Sequence, residues 1–359
     1  MSGVTGIESA PAATIADQEP ALLVHVFRVE EGLGNACLLQ FPDGTCGILD
    51  WGTQRTEPLE RALAIASEGG FRFVAASHAH ADHTLGLAKL IRACHRRGIR
   101  VQRFVYPAST LNKESADLTK ARVAALECGI PMSPVAVDTF QAPAGEWRPP
   151  YLAWAEDRSW EVRVLSPSMT ETAIAEMRAL GRSVVPGNET SLVVLFRFVD
   201  QISPTGLGRA LLPGDATPAT LEFARETASS FAELAMKNQM FLVPHHGSRQ
   251  NLPDWLEEEI RGIVVVSAPT DSLNHPAGEV LQRIGSWIED GSRLFCTSYA
   301  QCCAKDFGRR ARGANRALVQ PGSCFGDVVV RVPRSAPAEL EQSSQPGERR
   351  RRFGYCGGA

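Results

Sequence analysis

The feature that most constrains this chain is the stretch Ser77-His78-Ala79-His80-Ala81-Asp82-His83, which directly follows the apolar run Phe71 to Ala76. A strand that ends in such a loop sends alternate side chains into one space. His78 and His80 can then converge on one metal ion, while the adjacent pair Asp82-His83 turns toward a second. Imidazole and carboxylate donors suit zinc, manganese or iron. The chain holds only eight histidines, so three at this spacing after a strand read as a metal site rather than as a polar loop.

Three further strand ends carry matching groups. Cys46 to Leu49 reads as a strand and closes in Asp50-Trp51-Gly52-Thr53. Ala210-Leu211-Leu212-Pro213-Gly214-Asp215 is a strand ending in Gly-Asp, and Met240 to Val243 delivers Pro244-His245-His246-Gly247-Ser248. Loops gathered on one edge of packed sheets form a site without any single long motif. Asp215 is suited to bridge two cations about 3.5–4 Å apart, the spacing of a two-metal hydrolase. Asp50, behind the ligands, would fix the tautomer of a liganding histidine.

The rest of the chain reads as one α/β domain over 21–332, between a disordered lead (1–20) and a disordered tail (333–359). Strands are expected at Ala21 to Val29, Ala36 to Phe41, Val101 to Tyr106, Arg163 to Leu165, Leu192 to Phe198, Ile263 to Ser267, Arg293 to Thr297 and Asp327 to Val332. Helices are expected at Glu57 to Glu68, Thr84 to Arg97, Asn112 to Glu127, Thr170 to Leu180, Thr217 to Glu226 and Glu279 to Ile288. Residues 131–160, with Trp147, Tyr151, Trp154 and Trp160, read as an insertion or lid. Nine cysteines without Cys-x-x-Cys spacing read as free thiols. The lead lacks the basic start and apolar centre of a signal peptide, and no apolar run approaches the roughly 18 residues of a membrane span. The expected location is therefore cytoplasmic, with no membrane partner.

His78-x-His80-x-Asp82-His83, with Asp50-x-Gly52 upstream and Gly214-Asp215 downstream, resembles the metallo-β-lactamase superfamily. The resemblance implies an αβ/βα four-layer sandwich with a dinuclear site, two divalent ions (zinc or manganese), at its edge. Asn188-x-x-Ser191-Leu192-Val193-Val194, Leu211-Leu212-x-Gly214-Asp215, His245-His246-Gly247-Ser248 and Asn274-His275-Pro276 are similar to the hydrolase domain of competence DNA-uptake proteins (ComEC type). Carried over, His78 and His80 bind one ion, Asp82, His83 and His246 the other, and Asp215 bridges. Either histidine of the 245–246 pair could take the metal; His246 is assigned as ligand, leaving His245 to contact a phosphate oxygen. Asp50, Asn188 and Ser248 support the ligands from behind. His275 is a candidate to orient or protonate the leaving group, or else a loop histidine stabilising a turn. Many superfamily members supply a third histidine before the bridging aspartate; none exists here between His95 and His245. The membrane-channel segments of the competence proteins are not found, so DNA uptake is not implied.

The expected activity is hydrolysis of a phosphodiester, most readily a nucleic acid, with a metal-activated hydroxide as nucleophile and Asp82, His245 and His275 in the catalytic set. A net charge of −3 gives no global field for nucleic acid, so any such surface is local. Arg92, Arg96, Arg97, Arg100 and Arg103 form one candidate patch, and Arg309, Arg310, Arg312 and Arg316 another. The tryptophans of 147–160 could stack bases or pack in the core. The alternatives are a small-molecule or lipid phosphodiesterase, or a non-catalytic scaffold in a multi-protein defence or repair system.

Overall fold

The computed structural model describes residues 19–29, 34–107, 115–135, 150–166, 188–199, 207–230, 238–267, 275–287, 293–297 and 327–341. Its strands fall into two sheets. The first has the order β15-β14-β1-β2-β3-β4-β5-β6: β1 Ala21–Val26, β2 Ala36–Gln40, β3 Cys46–Trp51, β4 Phe71–Ala75, β5 Phe104–Pro107, β6 Met132–Val135, β14 Val328–Pro333 and β15 Glu339–Leu340. The second has the order β13-β12-β11-β10-β9-β8-β7: β7 Tyr151–Trp154, β8 Trp160–Ser166, β9 Val193–Phe198, β10 Arg209–Leu212, β11 Asn238–Leu242, β12 Ile260–Val266 and β13 Arg293–Cys296. Each sheet joins an antiparallel part to a parallel part: β3 to β6 run parallel in the first, β10 to β13 in the second.

Strand alternation explains why the sheets pack face to face. Along β1, Leu22, Val24 and Val26 point into the space between the sheets, whereas Phe27 packs on the outer side. Phe41, Phe73, Trp160 and Phe196 meet in that central layer, with the Phe41 and Trp160 rings stacked at 4.5 Å. Both faces of each sheet are covered, as the near-continuous apolar runs of its strands require. On the outer face of the first sheet lie α1 Thr56–Ile65, α3 Leu87–Arg96 and α4 Ala116–Glu127, through Leu59, Leu63, Leu90, Ile91, Leu118 and Ala125. Between α1 and α3 comes the single turn α2 Ala81–Thr84. On the outer face of the second sheet lie α5 Pro218–Ser230 and α7 Gly278–Trp287, through Leu221, Ala224, Leu281 and Ile284; the short α6 Leu256–Glu259 precedes β12. The result is helices, sheet, sheet, helices: the expected four-layer αβ/βα sandwich.

Three expectations change. The helix expected from Thr84 to Arg97 is broken into α2 and α3 by Gly86, whose N–H donates to the Trp51 carbonyl at 2.8 Å. A Cβ there would stand 1.8 Å from the Thr53 carbonyl oxygen, so the β3 end and the helix approach only because this residue is glycine. The described parts of 131–160 supply an edge strand to each sheet: Met132–Val135 pairs with β5 and Tyr151–Trp154 with β8, while 136–149 lie outside the described residues. Pro134 is tolerated because β6 is an edge. The polar tail begins as structure, since Glu339–Leu340 pairs with β14. The helix expected at Thr170 to Leu180, Trp147, Cys302-Cys303 and the late arginines from Arg309 to Arg316 lie outside the described residues.

Candidate metal centre

The parallel strands of both sheets end on one edge of the sandwich, where open α/β sheets place their sites. β3 ends at Asp50 and Trp51, and β4 runs into Ser77 to His83. β10 runs into Gly214-Asp215, β11 into His245-His246, and β12 into Ser267. Hydrogen bonds to backbone carbonyls sew the two sheets together here. Leu192 N donates to the Ser77 carbonyl at 2.9 Å, and Ser267 Oγ to the Gly34 carbonyl at 3.1 Å. Gly214 has φ 56°, and a Cβ on it would lie 2.7 Å from the Ser77 side chain, so the Asp215 loop closes onto β4 only with glycine at that position.

Asp215 sits at the middle of the cluster. Its Oδ1 is 3.1 Å from His83 Nε2 and 4.0 Å from His246 Nε2. Its Oδ2 is 3.7 Å from His78 Nε2 and 3.7 Å from His245 Nε2. Asp82 Oδ2 adds contacts of 3.8 Å to His83 Nε2 and 3.5 Å to His246 Nε2. Two donor groups result, each with its atoms within 4.8 Å of one another: Asp82, His83, Asp215 and His246; and His78, His80 and Asp215. These are the two sets expected from the sequence, with Asp215 common to both.

The other ring nitrogens fix which atom faces the cluster. His83 Nδ1 lies 2.7 Å from Asp50 Oδ2, and a carboxylate accepts, so His83 carries its proton on Nδ1. His246 Nδ1 lies 2.8 Å from the Ser267 carbonyl, which also only accepts. Ser77 Oγ donates to Asp50 Oδ2 at 2.8 Å and is thereby free to accept from His78 Nδ1 at 3.0 Å. In each ring Nε2 is turned inward. The Nε2 atoms of His78, His83 and His246 are buried without a hydrogen-bond partner. Buried ring nitrogens left without a hydrogen-bond partner around two carboxylates carry a penalty that a bound cation removes, so this donor set fits a metal.

Without a cation the carboxylates act on the rings: burial would lower His83 and His246, but Asp215 and Asp50 hold His83 well above the usual imidazole range, and Asp82 and Asp215 raise His246. Burial alone would raise the Asp215 carboxyl, but His83, His246 and His78 outweigh it and hold it well below the usual range. For Asp82 burial is likewise outweighed, by the His246 hydrogen bond and by His83, bringing it to about 2. Burial lowers the His78 imidazole, and His83 adds to that effect. Both aspartates are therefore anionic at neutral pH.

Asp50 is fully buried with φ 64°, accepts from Ser77 N at 2.6 Å and holds the face of His83 turned away from Asp215. His245 and His246 are consecutive residues with φ 48° and 52°, conformations that non-glycine residues rarely adopt and that concentrate at functional sites. Asn188 Nδ2 approaches His245 Nδ1 at 3.3 Å. Ser248 contributes its N–H to the His245 carbonyl at 2.8 Å, tightening the loop. The His275 and His245 rings lie 5.3 Å apart, and Ala277 N donates to the Gly247 carbonyl, docking the His275 loop on the histidine pair.

Ser77, Asn251 and Ser267 also belong to the site, although the sequence assigned them nothing. Ser77 adjoins the histidine loop and could have been read there. Asn251 and the Ser267 carbonyl are brought in by tertiary structure alone. The first arginine patch, in contrast, is not at the site: it gathers at the C-terminal end of α3, roughly 15 Å from the metal-loop end of that ten-residue helix. There Arg92 pairs with Glu127, Arg97 with Glu60, and Arg103 with the Tyr151 and Leu152 carbonyls.

No family model matches the sequence, and a search of curated proteins found no match. Among solved structures, the metallo-β-lactamase fold protein YhfI from Bacillus subtilis aligns at TM-score 0.43 and 11% identity, covering 88% of this chain and 100% of that one. Tm1679, a metal-dependent hydrolase of the β-lactamase superfamily, aligns at 0.41 and 12%, covering 77% and 95%. A long form RNase Z from yeast aligns at 0.39 and 13%, covering 80% of this chain and 39% of that one.

Proposed function

We propose that this chain is a dinuclear metal-dependent phosphodiester hydrolase. The observation that carries the reading is the convergence of three buried Nε2 atoms without a hydrogen-bond partner, each ring held at Nδ1 from behind, on the anionic Asp215. His78 and His80 would hold one divalent ion, Asp82, His83 and His246 the other, and Asp215 both. Imidazole and carboxylate donors suit zinc or manganese. Two cations bound there would lower the pKa of a shared water and neutralise charge on a phosphoryl oxygen.

The chain's own residues divide the remaining tasks. Asp82 is the partly exposed member of its donor group, so it lies on the side from which a substrate arrives. His275 is lowered by burial and by His245 and His246, which leaves it neutral at pH 7. As a neutral imidazole it is fitted to orient a substrate oxygen. Asn188, Asn251 and Ser248 hold the His245-His246 loop in its strained shape.

Nucleic acid is the substrate class we assign, on the motif resemblance to the competence-type hydrolase domain. Arg92, Arg97 and Arg103 do not add to it, being engaged elsewhere. The test is hydrolysis of bis(p-nitrophenyl) phosphate and of labelled single- and double-stranded DNA and RNA, with Mn²⁺, Zn²⁺ or EDTA, alongside Asp82→Ala. Metal-dependent cleavage of a polymer, lost in the variant, is the expected result. Cleavage of the small diester alone would redirect the assignment to small substrates. Silence throughout in protein holding two ions, or full activity of Asp82→Ala, would overturn the hydrolase reading.

A further inference from the structure

His245 is partly open, its side chain 28% exposed, and the sequence reading leaves it off the metals. Its hydrogen bonds say otherwise. Asn251 Nδ2 donates to the Ala216 carbonyl at 2.9 Å and approaches the Asp215 carbonyl at 3.4 Å, which fixes that amide with its oxygen toward His245. Asn251 Oδ1 lies 3.1 Å from His245 Nδ1 and can only accept, so the ring proton is on Nδ1. Asn188 does not oppose this. Its Oδ1 is buried without a partner, and turning its amide over places that oxygen on the same Nδ1–H.

Nε2 of His245 is then an open lone pair, 3.7 Å from Asp215 Oδ2. His78 Nε2 stands at the same 3.7 Å from the same oxygen. Asp215 thus divides the cluster evenly: Oδ1 faces the imidazoles of His83 and His246, and Oδ2 those of His78 and His245. The backbone supports the aim. His245 holds φ 48° and ψ 48°, and its N–H donates to the Gly214 carbonyl at 3.1 Å.

We infer that His245 is the third imidazole ligand of the ion held by His78 and His80, filling from the second sheet the position for which the chain has no histidine between His95 and His245. This rests on the dinuclear reading above. His245 sits outside the tighter group of His78, His80 and Asp215, so binding draws its ring inward. The partial exposure of the side chain leaves room for that movement. The first ion then has imidazoles from both sheets, as the second already does through His83 and His246.

The experiment is metal analysis of the full chain. Apo protein is titrated with Co²⁺ or Zn²⁺ against a competing chelator, for the unmodified chain, His245→Gln and Asn251→Ala, with circular dichroism of the apo forms to confirm folding. The unmodified chain is expected to bind two ions. His245→Gln is expected to keep one ion at unchanged affinity and to bind the other at least about tenfold more weakly, with altered Co²⁺ absorption. Asn251→Ala, which frees the tautomer, weakens the same ion by a smaller factor. Two ions of undiminished affinity in a folded His245→Gln overturn the ligand role and return His245 to substrate contact. Fewer than two ions in the unmodified chain overturn the dinuclear reading itself, and this inference with it.

Discussion

Asp50 Oδ2 and His83 Nδ1 stand 2.7 Å apart in the interior, both residues wholly buried, and the opposite nitrogen of the imidazole faces Asp215. Four donors converge on the Asp50 carboxylate: Ser77 N–H, Ser77 Oγ–H, His83 Nδ1–H and, at 3.5 Å, Asn35 Nδ2–H. An amide in its place offers one accepting oxygen and adds a donor of its own. Asp50→Asn keeps the shape and tolerates the φ of 64°. It is expected to weaken metal binding about 10–100-fold, which a chelator competition titration measures. Unchanged affinity would show that Asp50 does not orient His83.

Gly52 lies beneath the metal loop, where a Cβ would come within 1.7 Å of the Asp82 carbonyl oxygen. The obstructing atom is backbone and cannot swing aside. Gly52→Ala is expected to cost about 1–3 kcal/mol of stability or more, and to lower metal affinity because the displaced residue carries a ligand. Thermal unfolding with and without metal separates the two effects.

His25 predicts a pH dependence unrelated to the metals. Burial lowers its imidazole from 6.5 to about 4. Between those values the unfolded chain binds the proton and the folded chain does not, so stability falls as pH drops through that window. The full contribution is about 3 kcal/mol at most. His25→Leu is expected to flatten the acid limb of stability measured by urea unfolding from pH 7 to 4; an identical limb in the variant would remove His25 as its source.

Arg103 separates the structural from the polyanion-binding reading of the α3 arginines. Its guanidinium joins the sheets by donating to the Tyr151 and Leu152 carbonyls. Arg103→Ala is expected to cost about 1–3 kcal/mol and to leave nucleic-acid affinity unchanged. Loss of affinity at constant stability would restore the patch as a binding surface.

The donor residues were legible because adjacency and strand ends suffice to find them: His78 and His80 are two apart, and Asp82 adjoins His83. Asp215 and His246 each close a short apolar run. What supports them was not legible. The break at Gly86 depends on the Thr53 carbonyl of a different element, and the His246 tautomer on a backbone oxygen of Ser267, which any residue would supply. The edge strands around 131–160 were hidden by proline and aromatic content that resembles a loop. That the arginine patch gathers at the far end of α3 was not legible either, because sequence proximity to a helix does not say which end faces the site.

The seam between the sheets has a consequence for how such a chain can change over time. The β3–β4 edge contributes four of the donor residues and the β10–β11 edge the others, with Leu192 N and Ser267 Oγ pinning one edge to the other. Neither edge can drift alone: a shift of either sheet by a fraction of an ångström is felt by every ligand at once. The outer helices answer to no such partner. Divergence is therefore expected to accumulate in the outer layers while the facing strand ends move only in concert.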